Sequence, residues 1–417
     1  MEWVKNDNNT KVPIKSWCEN IEDGAMVQAV ALSNHPALIK HVALMPDCHQ
    51  GYGMPIGGVI ACKNAVIPNA VGVDIGCGMG AIKTDYSASN IKGKEKIRKL
   101  LEYIKLRVPV GEGHAHDEPK GWYGFIEYLD KIGVKFPLDN FEKTGLPGWL
   151  DAKAWKLALR NIGTLGGGNH FIELQKSESG HIWLMLHSGS RNLGYRIASY
   201  YHKKAVSLNE KWNSNIPNTQ LAFLPIESEE GKAYLRDMNF ALEYARENRS
   251  RMMEVFKEAV TAILKDISFE QEINIHHNYA ALENHFGENV WIHRKGATSA
   301  KLDEMGIIPG SMGTSSYIVK GKGNPESFMS CSHGAGRNMS RTAACVKFTV
   351  EECNKAMKGI VFDRWSKLKK RKKQGRNKLW DLSEAPLAYK NIDEVIQAEI
   401  DLIEPVVKLS PLGVIKG

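Results

Sequence analysis

Short β-like runs punctuated by turn residues constrain this chain most. KHVALMP (40–46), GGVIAC (57–62), HFIEL (170–174), HIWLMLHSG (181–189), NVWIHRKG (289–296) and SSYIVKG (315–321) are each bounded by Gly, Pro, Asn or Asp, as strands usually are. Helical patterns lie between them, at 90–107, at 193–212 and in one long segment from about 228 to 266. Strands and helices are interspersed without clean βαβ alternation, which favours an α+β fold over a doubly wound one. There is neither an internal repeat nor a low-complexity linker. The expectation is therefore a single domain over 1–417, with mixed sheets flanked by helices.

The long segment carries an apolar stripe at Leu235, Met238, Leu242, Ala245, Met252, Phe256, Ala259 and Ile263, at steps of three and four. Arg249 falls where the stripe calls for another apolar residue. A charge on a buried face is costly unless paired, so Arg249 is expected to meet a carboxylate in the core or a bound phosphate.

The N-terminus lacks the apolar run of a signal or transit segment, and no stretch reaches the roughly 18 apolar residues of a membrane span, so a cytoplasmic protein is expected. The seven cysteines are odd in number and scattered, with no CxxC pair, against both a disulfide framework and a zinc ribbon. The net charge of +8 is compatible with a polyanionic partner such as RNA but does not require one. Nine lysines and arginines cluster in 364–380, with Trp365 and Trp380 near its two ends, either as a solvated loop or as a contact with a phosphate backbone.

VGVDIGCGMG (71–80) sets Asp74 and Cys77 three apart among glycines. A buried core cysteine beside a turn is one reading; a carboxylate and a thiolate converging on a metal is the other. The histidines weigh on that choice. His170, His187, His277 and His333 each end or interrupt an apolar run beside small or amide residues, where loops mount functional groups. MPDCHQGYG adds Asp47, Cys48 and His49. A mixed N, O and S donor set suits a borderline ion such as Zn²⁺ or Mn²⁺. GTLGGGNH fits neither the dinucleotide fingerprint nor the P-loop. IIPGSMGTSSYIV offers backbone N–H groups with Ser311, Ser315 and Ser316 to an anion, though structural turns share that composition.

VGVDIGCGM, LGGGNHFIE, LHSGSR, HHNY, RKGA, PGSMG, SHGAGR and the terminal VIKG occur in that order over nearly the whole chain, which closely resembles the RtcB family of RNA-splicing ligases. The resemblance implies an α+β catalytic domain, GTP, two Mn²⁺ ions, and RNA carrying 2′,3′-cyclic phosphate or 3′-phosphate and 5′-hydroxyl ends. It makes Asp74, Cys77, His170, His187 and His277 metal ligands, with Cys77 bridging the ions, and His333 the guanylylated nucleophile. It puts guanosine contacts at Asn169, Phe171, Glu173, Asn278, Pro309, Gly310, Ser311, Met312, Ser316, Gly334, Ala335, Gly336, Tyr389 and Lys416, and a phosphate or RNA contact at Arg191. In this picture Glu173 accepts from the guanine N1–H and amino groups and Lys416 donates to O6. Some members of the family need an activating partner protein.

The chain departs from the pattern at Cys48, commonly hydrophobic, and at Tyr52, commonly lysine. Cys48 then reads as a silent core substitution or a redox-sensitive thiol, and the basic run 364–380 can offset a lost RNA contact at Tyr52. Both departures point to a divergent bacterial-type paralogue. Two rival functions remain: a two-metal phosphoesterase or cyclic-phosphate hydrolase, which has no use for a nucleophilic His333, and an RNA-binding scaffold, whose binding would survive loss of Cys77 and His333.

Overall fold

The computed structural model describes residues 1–134, 146–367 and 380–417. Most of the basic run, 368–379, lies outside them. Two sheets dominate. The smaller has six strands in the order Trp3–Lys5, Ile14–Ser16, Leu38–His49, Ile56–Cys62, Glu288–Lys295 and Asn278–His285. The larger runs Phe269–His276, Gly78–Ser87, His181–Ser188, Phe171–Ser177, Ile403–Lys416, Ser316–Gly321 and Met305–Ile308, with Val361–Phe362 added beside Ile403–Lys416. Pairing is antiparallel except where Ile14–Ser16 meets Leu38–His49 and Val361–Phe362 meets Ile403–Lys416. This is the mixed α+β architecture that the irregular alternation implies.

The long helix spans Glu229–Leu264, about 54 Å at 1.5 Å per residue. Ser228 caps it by accepting from the Gly231 N–H, and Glu229 and Glu230 favour the positive end of its dipole. The C-terminal half of its stripe packs on the larger sheet, where Met252, Phe256 and Ala259 join Ile82, Leu184 and Leu186, while Leu235, Met238 and Leu242 pack in a second cluster with Phe125, Trp149 and Ile197. The 193–212 pattern becomes Asn192–Lys211, and the 90–107 pattern shortens to Lys94–Lys105 after a 3₁₀ turn at Ala88–Asn90. Among the described residues no helix is long and apolar enough to cross a membrane.

Strand register brings distant residues together. Met79 and Phe171 both stand opposite His187, Gly78 opposite His276, and Lys416 opposite Phe171. One end of the larger sheet therefore gathers Cys77, His170, His187 and Lys416. At His277 the chain leaves the larger sheet and enters the smaller one. Asp47 and His49 end the smaller sheet's Leu38–His49 strand, and His333 follows the short strand Ser330–Ser332, paired with Ala297–Ser299. The candidate site is the seam between the sheets.

Candidate active site

The Asp74–Cys77 turn is closed by the Cys77 N–H donating to Asp74 O, at 3.0 Å. Gly76 has φ +75°, and a Cβ on Gly78 would lie 2.0 Å from Ile275 O, so these two glycines are what let the ligand turn press on the neighbouring strand. Cys77 Sγ lies 3.2 Å from His187 Nε2 and 3.5 Å from His170 Nε2. His170 Nε2 is 3.5 Å from Asp74 Oδ2, and His187 Nε2 is 3.3 Å from His277 Nε2.

The outer nitrogens fix the tautomers. His187 Nδ1 faces Asn169 O at 3.3 Å. His170 Nδ1 contacts both Leu165 O at 2.9 Å and an Arg191 guanidinium nitrogen at 3.2 Å. A carbonyl only accepts and a guanidinium only donates, so the shorter contact assigns the proton to Nδ1. Each ring then turns an Nε2 lone pair toward Cys77, the tautomer that a metal needs. Burial, with neighbouring imidazoles adding to it, holds His187 and His277 well below the ordinary histidine range, so both stay neutral. Burial, then Asp74, pushes the Cys77 thiol up, which a bound cation would reverse.

Cys77, His170 and His187 form a buried group able to hold a metal ion. Two donors each about 2.2 Å from one ion, at tetrahedral or octahedral angles, sit roughly 3.1–3.6 Å apart; the separations of both histidine nitrogens from Cys77 Sγ fall in that range. Asp74 and His277 flank the group, and His277 Nδ1 is buried without a hydrogen-bond partner. The donor set fits a borderline divalent cation.

Beside it opens a cavity of about 460 Å³. Its walls are 309–312, 333–336, Asn169, Phe171, His187, Tyr389 and Lys416, with His49 and Gln50 opposite. His333 lies 4.8 Å, ring to ring, from His277. Its Nδ1 donates to Asp47 Oδ2 at 2.6 Å, and its backbone N–H donates to the same oxygen at 3.2 Å. Asp47 is fully buried. Since a carboxylate only accepts, Nδ1 carries the proton and Nε2 keeps the free lone pair.

Three expected guanosine contacts stand behind the cavity wall. Gln175 Nε2 bridges Glu173 Oε2 at 2.6 Å and Ser316 Oγ at 3.2 Å, and that hydroxyl also accepts from the Gly310 N–H. Asn278 braces the ligand turn, donating to Asp74 O at 3.0 Å and accepting from the Gly296 N–H at 2.7 Å. Burial pushes the Glu173 carboxyl up to about 7, against the pull of Lys416 and Gln175. Arg191, with φ +59°, lays its guanidinium against Thr164 and His170.

Sequence patterns assign no role to two carboxylates of this site. Asp47 stands out only as a member of MPDCHQGYG. Glu384, nearly buried, gathers Arg341 at 2.7 Å, Arg337 at 3.4 Å, Lys416 at 3.6 Å and the Tyr389 hydroxyl along one wall. Neither is marked by local spacing. The expected core salt bridge of Arg249 is corrected: among the described residues the guanidinium is hydrogen-bonded not to a carboxylate but to backbone carbonyls, an amide and an imidazole. Cys48 is buried in the apolar cluster of Leu44, Met54 and Ile60, as a core substitution is, and burial pushes its thiol up.

The family model described as "tRNA-splicing ligase RtcB" matches residues 28–417. The chain belongs to the RtcB family. It is 37% identical over 421 residues to the RNA-splicing ligase RtcB of Escherichia coli K12, covering 97% of each chain. It is 31% identical to the tRNA-splicing ligase RtcB of Methanococcus maripaludis, over 96% of this chain and 92% of that one. It is also 31% identical to the RNA-splicing ligase RtcB of Mycobacterium tuberculosis, over 94% of this chain and all of that one. The family match runs through every segment that lines the seam between the sheets, from Asp47 to Lys416.

Proposed function

We propose that the protein is a GTP- and Mn²⁺-dependent RNA ligase joining 2′,3′-cyclic phosphate or 3′-phosphate ends to 5′-hydroxyl ends. The observation that carries this reading is the His333–Asp47 pair. It presents an imidazole nitrogen on the wall of a cavity next to a buried N, O and S donor cluster. A hydrolase needs no such nucleophile.

Asp47 holds the Nδ1 proton of His333, so Nε2 can attack the α-phosphorus of GTP. The N–P bond forms as the bond from that phosphorus to the β-phosphate bridging oxygen breaks, and pyrophosphate leaves. At a cyclic end, water first adds to the phosphorus and the P–O2′ bond breaks, leaving a 2′-hydroxyl and a 3′-phosphate; an oxygen of that 3′-phosphate then takes the GMP from His333, and the 5′-hydroxyl oxygen attacks the activated 3′-phosphorus and releases GMP. Asp74, Cys77, His170, His187 and His277 would hold Mn²⁺, which when bound would supply positive charge to the phosphoryl oxygens. Among the backbone N–H groups of the cavity wall, those of Gly310, Ser311 and Ala335 are spent on Ser316 Oγ, Thr314 Oγ1 and Pro309 O, which leaves Met312, Gly334 and Gly336 to serve the remaining oxygens. Glu173, ionised, selects guanine over adenine by accepting from its N1–H and amino group, and Lys416 serves O6. Arg191, behind His170, is a cation placed to serve an RNA phosphate at the metal centre.

The test uses an RNA pair bearing a cyclic-phosphate end and a 5′-hydroxyl end, with Mn²⁺ and either GTP or ATP. Joined product with GTP alone, lost in His333→Ala, supports the reading. Opening of the cyclic phosphate without joining and without any need for GTP would instead support the phosphoesterase.

A further inference from the structure

A leucine at position 249 would complete the apolar stripe of the long helix, yet an arginine is buried there with only 1% of its surface exposed. Among the described residues its hydrogen-bond partners are all neutral. Nε donates to Asn274 Oδ1 at 2.8 Å, one terminal nitrogen to Gly76 O at 2.9 Å and Ser188 O at 3.0 Å, and the other lies 3.1 Å from His276 Nδ1. A buried guanidinium without a carboxylate is a poor way to stabilise a core. Its partners give a better account: Gly76 adjoins Cys77, Ser188 adjoins His187 and His276 adjoins His277.

The preceding residue does the same for the remaining histidine. Asn248 Oδ1 accepts from the N–H groups of Gly163 and Thr164 at 2.7 and 3.0 Å, and its Nδ2 faces Thr164 O, Ser188 Oγ and Gly189 O at 3.1–3.2 Å. That segment runs directly into Leu165, whose carbonyl fixes the His170 ring.

We propose that Arg249 is a positioning residue for the metal centre, with Asn248 as its companion. Two consecutive residues of one rigid helix set the spacing of Cys77, His170, His187 and His277. The proposal rests on reading that cluster as a metal site. Only arginine suits position 249, because its planar fork of five donors reaches three segments at once, while the single ammonium of lysine cannot.

The test is cobalt(II) and Mn²⁺ binding to the full chain, by titration calorimetry and by the thiolate-to-cobalt absorption band, alongside thermal unfolding. Arg249→Lys keeps the charge and loses the fork; Arg249→Met removes both. Tyr244→Phe is the control, since it deletes a buried hydrogen bond from the same helix to Ala158 O, on a helix that carries none of the ligands. The expected result is at least tenfold weaker metal binding with an altered cobalt band in both Arg249 variants. Tyr244→Phe should lower the melting temperature and leave both metal readouts unchanged. If Arg249→Met does not fold, Arg249→Lys alone decides. Cobalt binding within twofold of wild type, with the same band, overturns the positioning role. If wild type itself binds neither metal, the metal-centre reading fails, and the proposal falls with it.

Discussion

Replacing Asp47 with alanine removes a carboxylate that holds His333 at two points, the ring Nδ1–H at 2.6 Å and the backbone N–H at 3.2 Å. The first is a charge-assisted bond that orients the ring and, in the neutral imidazole, keeps the proton on Nδ1 and the lone pair on Nε2. Such bonds are worth about 1.5–3 kcal/mol, which at 1.36 kcal/mol per decade converts to roughly a 10- to 160-fold slower attack. The fold should tolerate the change. Asp47 is buried with Oδ1 unpartnered and adds to the repulsion that, after burial, raises the neighbouring Glu399 carboxyl. Losing that charge offsets part of the lost bonding. Asp47→Asn should fall between alanine and wild type, because its amide oxygen can still accept from Nδ1–H. The assay is the single-turnover rate of covalent label transfer from α-labelled GTP, with thermal unfolding measured in parallel. A rate for Asp47→Ala within threefold of wild type, on a folded protein, would refute the assigned role.

Glu173 ties nucleotide affinity to pH. With its carboxyl raised to about 7 by burial, it is about one-tenth ionised at pH 6 and nine-tenths at pH 8, so guanine nucleotide binding should tighten about tenfold over that interval. Titration calorimetry should show that slope in wild type and not in Glu173→Gln. The same raised carboxyl binds a proton in the folded state that the unfolded chain has released above about pH 4.5. Its contribution to stability therefore falls as pH rises from about 4.5 to about 7. Asp237, fully buried, accepts from the Tyr128 hydroxyl, the Trp149 indole and the Tyr201 hydroxyl at 2.6–3.0 Å. Asp237→Ala strands three donors and should cost roughly 3–6 kcal/mol in urea unfolding, with metal affinity retained. Replacing Lys369, Lys370, Arg371, Lys372 and Lys373 with serine should flatten the salt dependence of single-stranded RNA binding by up to about 3.5 in log–log slope, at roughly 0.7 per phosphate contact. An unchanged slope would assign that run to solvent.

The strands bounded by glycine, proline and asparagine were legible, because turn chemistry and apolar runs are local signals. The Ile403–Lys416 strand was not: of its fourteen residues only the terminal VIKG stood out. Pro405, Lys408, Ser410 and Pro411 break its pattern, and a register shift lies between Pro411 and Gly413, yet it sits inside the larger sheet and delivers Lys416. The metal-type ligands were visible as residue types at strand ends, but their convergence is set by register between strands far apart in the chain. The His333–Asp47 pair spans 286 residues, and no spacing rule reaches that far. Arg249 was recognisable as anomalous from helical periodicity. What it holds could be read only once the ligand segments were seen around it.

The central claim is that His333 is a nucleophile made ready by Asp47 beside a metal centre. It is tested most directly by incubating the protein with α-labelled GTP and Mn²⁺ and mapping the adduct by peptide mass. The account predicts one GMP attached to His333, stable to alkali, lost in acid and absent from His333→Ala. A folded wild-type protein that takes up no label with Mn²⁺ or any other divalent metal, or that carries GMP on a different residue, would contradict it.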